Sequence, residues 1–252
     1  MSNSPFHPVL NGLAKRFFSE KSREKIRYWI KLFPAIFFSS NLTNLSKWYG
    51  SDKSDHGYTE IYERLFAWNR RQILQILEIG IGGGEDSRKG GNSLKMWSRF
   101  FPKAIIVGVD ITDKKLVAYR RIRTEMGDQS DTNFLESLKN KYHQFDIIID
   151  DGSHQNAHVI CSFERLFHSV KPGGYYIIED VGTSYWSEYG GHETDIHSQN
   201  TMMNYFRGFI DFPNVSYMRS AEMISRIDKE VGSIQFYPNL IVIQKVKKRS
   251  LV

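Results

Sequence analysis

Cysteine is almost absent from this chain. Cys161 alone among 252 residues excludes an internal disulfide framework and fits a reducing compartment, so the expected location is cytoplasmic. Cys161 falls in an apolar helical pattern and reads as a packing residue. No stretch reaches the ~20 consecutive apolar residues that a membrane-spanning helix requires. The best run, residues 26–38, is broken by Arg27, Lys31 and Pro34, and it lacks the short basic start of a secretory leader. Internal repeats and low-complexity tracts are also missing, which excludes a repeat architecture.

Charge is present and unevenly placed. The net value of +6 comes from the ends, since Lys15, Arg16, Lys21, Arg23, Lys25, Arg27 and Lys31 face only Glu20 and Glu24. Lys245, Lys247, Lys248 and Arg249 repeat the pattern at the other end, while the middle is nearly balanced. Solvated ends explain this, as would attraction of the N-terminal stretch to an anionic membrane surface or glycan. Residues 1–45 read as a basic, partly helical appendage, and residues 46–252 as one domain.

From residue 59 a regular alternation begins. A helix is expected over 59–75, then an apolar strand at 75–79, a glycine-rich loop, and a helix over 92–100. Residues 104–110 (AIIVGVD) form the next expected strand, 114–121 a helix, and 123–127 a short strand. Asp131 is placed to cap a helix over 131–142. Residues 145–150 (FDIIID) form a strand, 157–170 a helix stopped by Pro172–Gly174, and 175–179 (YYIIE) another strand. Residues 216–218 and 240–245 are expected to pair as strands near the end. Continuously apolar strands alternating with helices imply an α/β fold: a mostly parallel, Rossmann-like sheet with helices on both faces and a terminal antiparallel strand. Ligands of such sheets bind beyond the carboxyl ends of the strands.

The polar residues of interest fall at those ends. The first strand runs into Glu78, Gly80, Gly82, Gly83 and Gly84, a loop that backbone can use to approach a ligand closely. The loop lacks the lysine and hydroxyl of a phosphate-binding P-loop. The second strand ends in Asp110, suited to a ribose diol. Together these residues suggest a nucleoside pocket, and Asp128 and Gln129 after the third strand are candidates for reading an adenine edge. The fourth strand ends in Asp150 and Asp151, followed by His154, and the fifth in Glu179 and Asp180. Neighbouring parallel strands bring Asp151, Glu179 and Asp180 to one point, where three carboxylates repel unless a cation or protons compensate. Such hard oxygen donors suit Mg²⁺ or Mn²⁺. His154 reaches the same rim and is a competent general base near neutral pH. The alternative for these acids is to cap the helices that follow them.

Six strings in order, residues 49–53 (YGSDK), 77–83 (LEIGIGG), 91–97 (GNSLKMW), 127–131 (GDQSD), 149–154 (IDDGSH) and 178–180 (IED), resemble a family of class I methyltransferases that act on sugar hydroxyls of glycosylated natural products. The mycinamicin and tylosin sugar O-methyltransferases are of this kind. Residues 183–186 (TSYW) also match, so the resemblance runs from about Leu45 to Trp186. It implies an enzyme that uses S-adenosylmethionine and Mg²⁺ on a sugar-containing small molecule or glycan. It implies metal binding by Asp151, Glu179 and Asp180 and proton removal by His154. It assigns Glu78, Gly80, Asp110, Asp128, Gln129 and Asp150 to the cofactor pocket, with Tyr49 and Ser93 as further candidates. The macrolide enzymes carry a large N-terminal domain that helps build their oligomer, whereas a basic segment of about 45 residues precedes the first string here. A homo-oligomer and the identity of the acceptor are therefore left open, with about 183–215 expected to shape the acceptor site. Tyr185, Trp186, His192 and His197 are its candidates for stacking or hydrogen bonding.

Two other classes compete. A nicotinamide-dependent oxidoreductase would use a similar sheet, but residues 80–84 lack the usual third-glycine spacing before a helix. A nucleic-acid methyltransferase or binding module would use the basic end with Tyr28, Trp29 and Trp48. A three-carboxylate centre repels phosphates without its ion, which disfavours nucleic acid as a partner. A cephalosporin hydroxylase-like relative and a purely structural cofactor domain are further readings.

Overall fold

The structure, a computed structural model, describes residues 39–115, 119–218 and 229–247, together with Ser19 and Ser22. The amphipathic run at 26–38, Tyr28, Trp29 and most of the basic charge at both ends lie outside the described residues.

Seven strands form one sheet: β1 (Gln75–Ile79), β2 (Ile105–Asp110), β3 (Ile122–Met126), β4 (Phe145–Asp150), β5 (Val170–Glu179), β6 (Val231–Tyr237) and β7 (Leu240–Lys245). Their order is β3-β2-β1-β4-β5-β7-β6. The first five are parallel to their neighbours, β7 runs antiparallel to β5, and β6 antiparallel to β7. The strand order reverses between β1 and β4, which opens a crevice at their carboxyl ends.

Alternation along the strands sorts side chains onto two faces. Ile76, Ile106, Ile147, Ile149, Ile177 and Val242 join one apolar cluster. Helices α1 (Leu42–Tyr49), α2 (Tyr58–Phe66) and α3 (Asn92–Phe100) cover it with Leu42, Leu45, Tyr62, Phe66 and Trp97. Leu77, Val107, Ile148, Ile178 and Ile243 join the other. There α4 (Thr132–Tyr142), α5 (Asn156–Leu166) and α6 (Met202–Arg207) supply Leu138, Phe163 and Phe206. Helix α1 spans residue 45, and its Leu42 and Leu45 are fully buried, each contributing about 1.5–3 kcal/mol. Asn41 caps its start by accepting from Asn44 N, and Gly50 ends it with φ 72°.

Several expected boundaries shift. The helix of 59–75 ends at Phe66, because residues 67–72 form turns. The helix of 114–121 is absent among the described residues. Lys114 is instead buried, donating from Nζ to Gly84 O and so tying the glycine loop to the chain after β2. Residues 116–118 lie outside the described residues. β3 begins one residue early, and the helix of 157–170 stops at Leu166. Pro172–Gly174 does not terminate it; these residues lie inside β5, beside an irregularity in its pairing with β4. Residues 216–217 belong to a 3₁₀ turn, and the partner of β7 is β6.

Candidate active site

The crevice holds a cleft of about 1010 Å³, walled by the glycine loop, the ends of β2 and β4 and the Gly50–Asp52 segment. That volume matches small-molecule sites. Gly80 has φ 85°, and a Cβ there would lie 1.9 Å from Asp151 O, so only glycine lets the ends of β1 and β4 close on each other. Gly80, Gly82, Ser93, Asp110, Asp128 and Gln129 line the cleft. Asp110 accepts from Ile81 N at 3.2 Å through one oxygen and from Thr112 N at 2.9 Å through the other, which fixes the carboxylate at the loop's base. Asp128 accepts from both Ser130 N and Ser130 Oγ, and these bonds hold its carboxyl below the usual range. Gln129 bridges two strand ends: Nε2 donates to Asp150 Oδ1 at 3.1 Å and Oε1 accepts from Ser153 N at 2.6 Å.

Tyr49, Glu78 and Asp150 do not line the cleft; they are buried behind its wall. Tyr49 packs in the first apolar cluster while its successors Gly50, Ser51 and Asp52 form the wall. Asp150 points to the opposite face of the sheet from Asp151, where it accepts from Ser162 Oγ, Tyr176 OH and Gln129 Nε2. Burial nevertheless raises its pKa.

The pleat directs Glu78, Asp151 and Glu179 to the same face, and the structure brings them together around a residue with no assigned role in the sequence reading. Lys53 Nζ lies 3.1 Å from Glu78 Oε1, 2.7 Å from Asp151 Oδ2 and 2.7 Å from Glu179 Oε2. Burial disfavours its charge, but the three carboxylates overcome that and raise its pKa well above the ordinary value. Glu179 does not line the cleft: Oε1 accepts from Tyr62 OH and Oε2 from Lys53, and burial raises its pKa to about 8 against the pull of Lys53. Glu78, wholly buried, is also raised by burial, with Lys53 opposing.

Asp180 should follow the pleat to the other face. It does not, because its backbone turns left-handed at φ 55°. Tyr58 OH and Asn239 Nδ2 each donate to Asp180 Oδ1 at 2.7 Å, leaving Oδ2 toward the cleft, 3.7 Å from His154 Nε2. His154 is also left-handed, at φ 57°. Asp151, His154 and Asp180 each offer an atom within 4.8 Å of the others, all partly exposed on the cleft. Two carboxylates and open access to water suit a hard divalent cation, so the donor set fits Mg²⁺ or Mn²⁺. The glycine loop, Asp110 and the cleft's size likewise fit a nucleoside cofactor.

The loop carrying His154 is fastened to the chain after β5. Thr183 Oγ1 donates to His154 O at 2.9 Å, and Asn156 Nδ2 donates to Thr183 O and Tyr189 O. Tyr185 and Trp186 lie on this pinned segment with exposed rings. His192 is taken by Asp195 N, and His197 lies 3.2 Å from Arg207 Nη1, so neither ring is directed by the His154 loop. Lys53, Tyr58, Tyr62, Asn156 and Asn239 had no signal beyond proximity to a motif, and only Lys53 stood inside one.

No protein-family model matches the chain. The chain is 40% identical over 209 residues to mycinamicin VI 2''-O-methyltransferase of Micromonospora griseorubida, covering 81% of the chain and 52% of that protein. It is 39% identical to 8-demethyl-8-alpha-L-rhamnosyl tetracenomycin-C 2'-O-methyltransferase of Streptomyces olivaceus, over 81% of the chain and 54% of the relative. The solved MycE methyltransferase, in complex with Mg, SAH and mycinamycin VI, superposes with a TM-score of 0.78 at 39% identity, over 83% of this chain and 54% of that one. The sheet, its helices and the cleft at the switch point define the class I methyltransferase fold. Within that class the chain is similar to O-methyltransferases named for mycinamicin VI and for a rhamnosyl tetracenomycin. It spans about half the length of the curated relatives it matches.

Proposed function

We propose that the chain transfers a methyl group from S-adenosylmethionine to a hydroxyl of a sugar or glycosylated acceptor, in the cytoplasm. The observation that carries this reading is that the glycine-loop cleft and the Asp151, His154 and Asp180 group share one cavity. Gly80, Gly82, Ser93, Asp110, Asp128 and Gln129 are the wall against which the cofactor would lie, with Glu78 and Asp150 holding that wall from behind. Asp151 and Asp180 would hold Mg²⁺, with Glu179 next to them. When bound, the ion acidifies a sugar hydroxyl, which is a poor nucleophile near neutral pH.

His154 is the proton acceptor. Its ring stands on the cleft rim, and Asp180 Oδ2 near Nε2 stabilises the imidazolium that results. Thr183 and Asn156 keep that loop from drifting, which matters because misplacement by about 1 Å can cost two orders of magnitude in rate. Tyr185 and Trp186 would give the acceptor an aromatic surface on the segment that Thr183 ties to the His154 loop. The test is transfer of labelled methyl from S-adenosylmethionine to a panel of glycosylated compounds with Mg²⁺ present. Label in a sugar ether supports the reading; label in no glycosylated acceptor, with turnover on another substrate class, overturns it.

A further inference from the structure

Lys53 is 1% exposed, yet it is an ammonium ion amid Glu78, Asp151 and Glu179. It is carried by a short 3₁₀ turn, Asp52–Ser54, whose first residue ends the cleft-lining run Gly50, Ser51 and Asp52. A cation buried this deeply persists only if its carboxylates compensate the loss of water, and carboxylates so close need a cation in turn. One of those three acids, Asp151, also belongs with His154 and Asp180 to the candidate metal donors. The Asp151 carboxylate therefore serves an internal cation and an external one.

We infer that Lys53 is a positioning residue: its ammonium ion holds Asp151 in place for the metal seat, braced from behind by Glu78 and Glu179, anchors the Gly50–Asp52 wall of the cofactor cleft, and shares the Asp151 carboxylate with the divalent ion. The inference rests on the reading of this corner as a metal seat. Without Lys53, the buried Glu78 and Glu179 and the partly exposed Asp151 lose their compensating charge, and a divalent cation or added protons must supply it. Metal should then stabilise the protein more strongly than it does when Lys53 is present.

The experiment compares thermal melting of the full chain and its Lys53→Met variant, each with chelator and with saturating Mg²⁺, with S-adenosylhomocysteine present throughout. Methionine keeps the length of the side chain and removes its charge. The variant in chelator should melt roughly 10 °C below the parent, and Mg²⁺ should restore more than half of that loss while raising the parent by much less. Equal Mg²⁺ increments in the two proteins would overturn the shared-carboxylate role while leaving the metal seat standing. No Mg²⁺ response in either protein would remove the metal seat and this inference with it. A variant too unstable to purify leaves a measurement on the unaltered protein: the slowly exchanging Lys53 ammonium resonance in ¹⁵N-edited spectra should shift on Mg²⁺ titration. A resonance that stays fixed while Mg²⁺ binds would overturn the inference.

Discussion

Substituting Gly80 with alanine tests whether the glycine loop and the acidic corner are one structure. The residue has φ 85°, and the added Cβ would lie 1.9 Å from Asp151 O and 2.8 Å from Gly152 Cα. The left-handed backbone costs alanine about 1–2 kcal/mol. The overlap is with main chain, which cannot rotate away, so the end of β4 must retreat on the order of 1 Å, at about 1–3 kcal/mol. Reduced freedom of the unfolded chain returns about 0.4–1 kcal/mol. Gly80→Ala should therefore destabilise by about 2–4 kcal/mol, lowering the melting temperature by roughly 4–16 °C for a domain of this size. Gly82 supplies the control. It has φ 70° with nothing within 4 Å of its added Cβ, so Gly82→Ala should cost about 1 kcal/mol or less. Differential scanning calorimetry of both variants measures the gap. Equal melting temperatures would refute the close approach of loop and β4 on which the shared cavity depends.

Two further outcomes follow from the site and from the far end of the sheet. His154→Ala should lower turnover by about 10²–10⁴-fold with S-adenosylhomocysteine affinity nearly unchanged, and steady-state kinetics beside calorimetry separates the two; full activity would remove the base assignment. At the far end, Glu230 Oε2 lies 2.9 Å from both Lys245 Nζ and His168 Nδ1. Partial burial pulls the other way, but these two partners hold the Glu230 carboxyl below its ordinary range. An acid lowered in the folded state stabilises above its unfolded pKa near 4.3 and loses that contribution as pH falls through the folded value. Glu230→Gln should thus cost about 1 kcal/mol at pH 7 and nothing well below the folded pKa; melting curves with a pH-independent difference would contradict this.

The sheet was largely legible because its strands are continuously apolar. β1, β2, β4 and β7 are buried on both faces, so adjacent apolar residues such as Ile147 and Ile148 mark strands covered on both sides. β6 was not legible, since Val231–Tyr237 is an edge strand with a glycine, a serine and a glutamine and carries little apolar signal. The site was legible as a set of strand ends, less so as directions. Adjacent residues Asp150 and Asp151 leave for opposite faces, and Glu179 and Asp180 would do the same but for the left-handed turn at Asp180. That turn depends on Tyr58 and Asn239, remote in sequence and silent until folded. Lys53 was hidden in the same way: the carboxylates it compensates lie at three separate strand ends, and a repulsion argument asks for a cation without saying which.

The central claim is that one cavity holds both a methyl-donor cofactor and a divalent metal. Calorimetric titration of S-adenosylhomocysteine into the full chain, with Mg²⁺ and with chelator, tests it most directly. The account predicts binding at one site per chain, abolished by Asp110→Ala, and a separate Mg²⁺ heat lost in Asp151→Asn. Absence of S-adenosylhomocysteine binding in both conditions would contradict it, since the glycine loop and Asp110 would then serve another ligand.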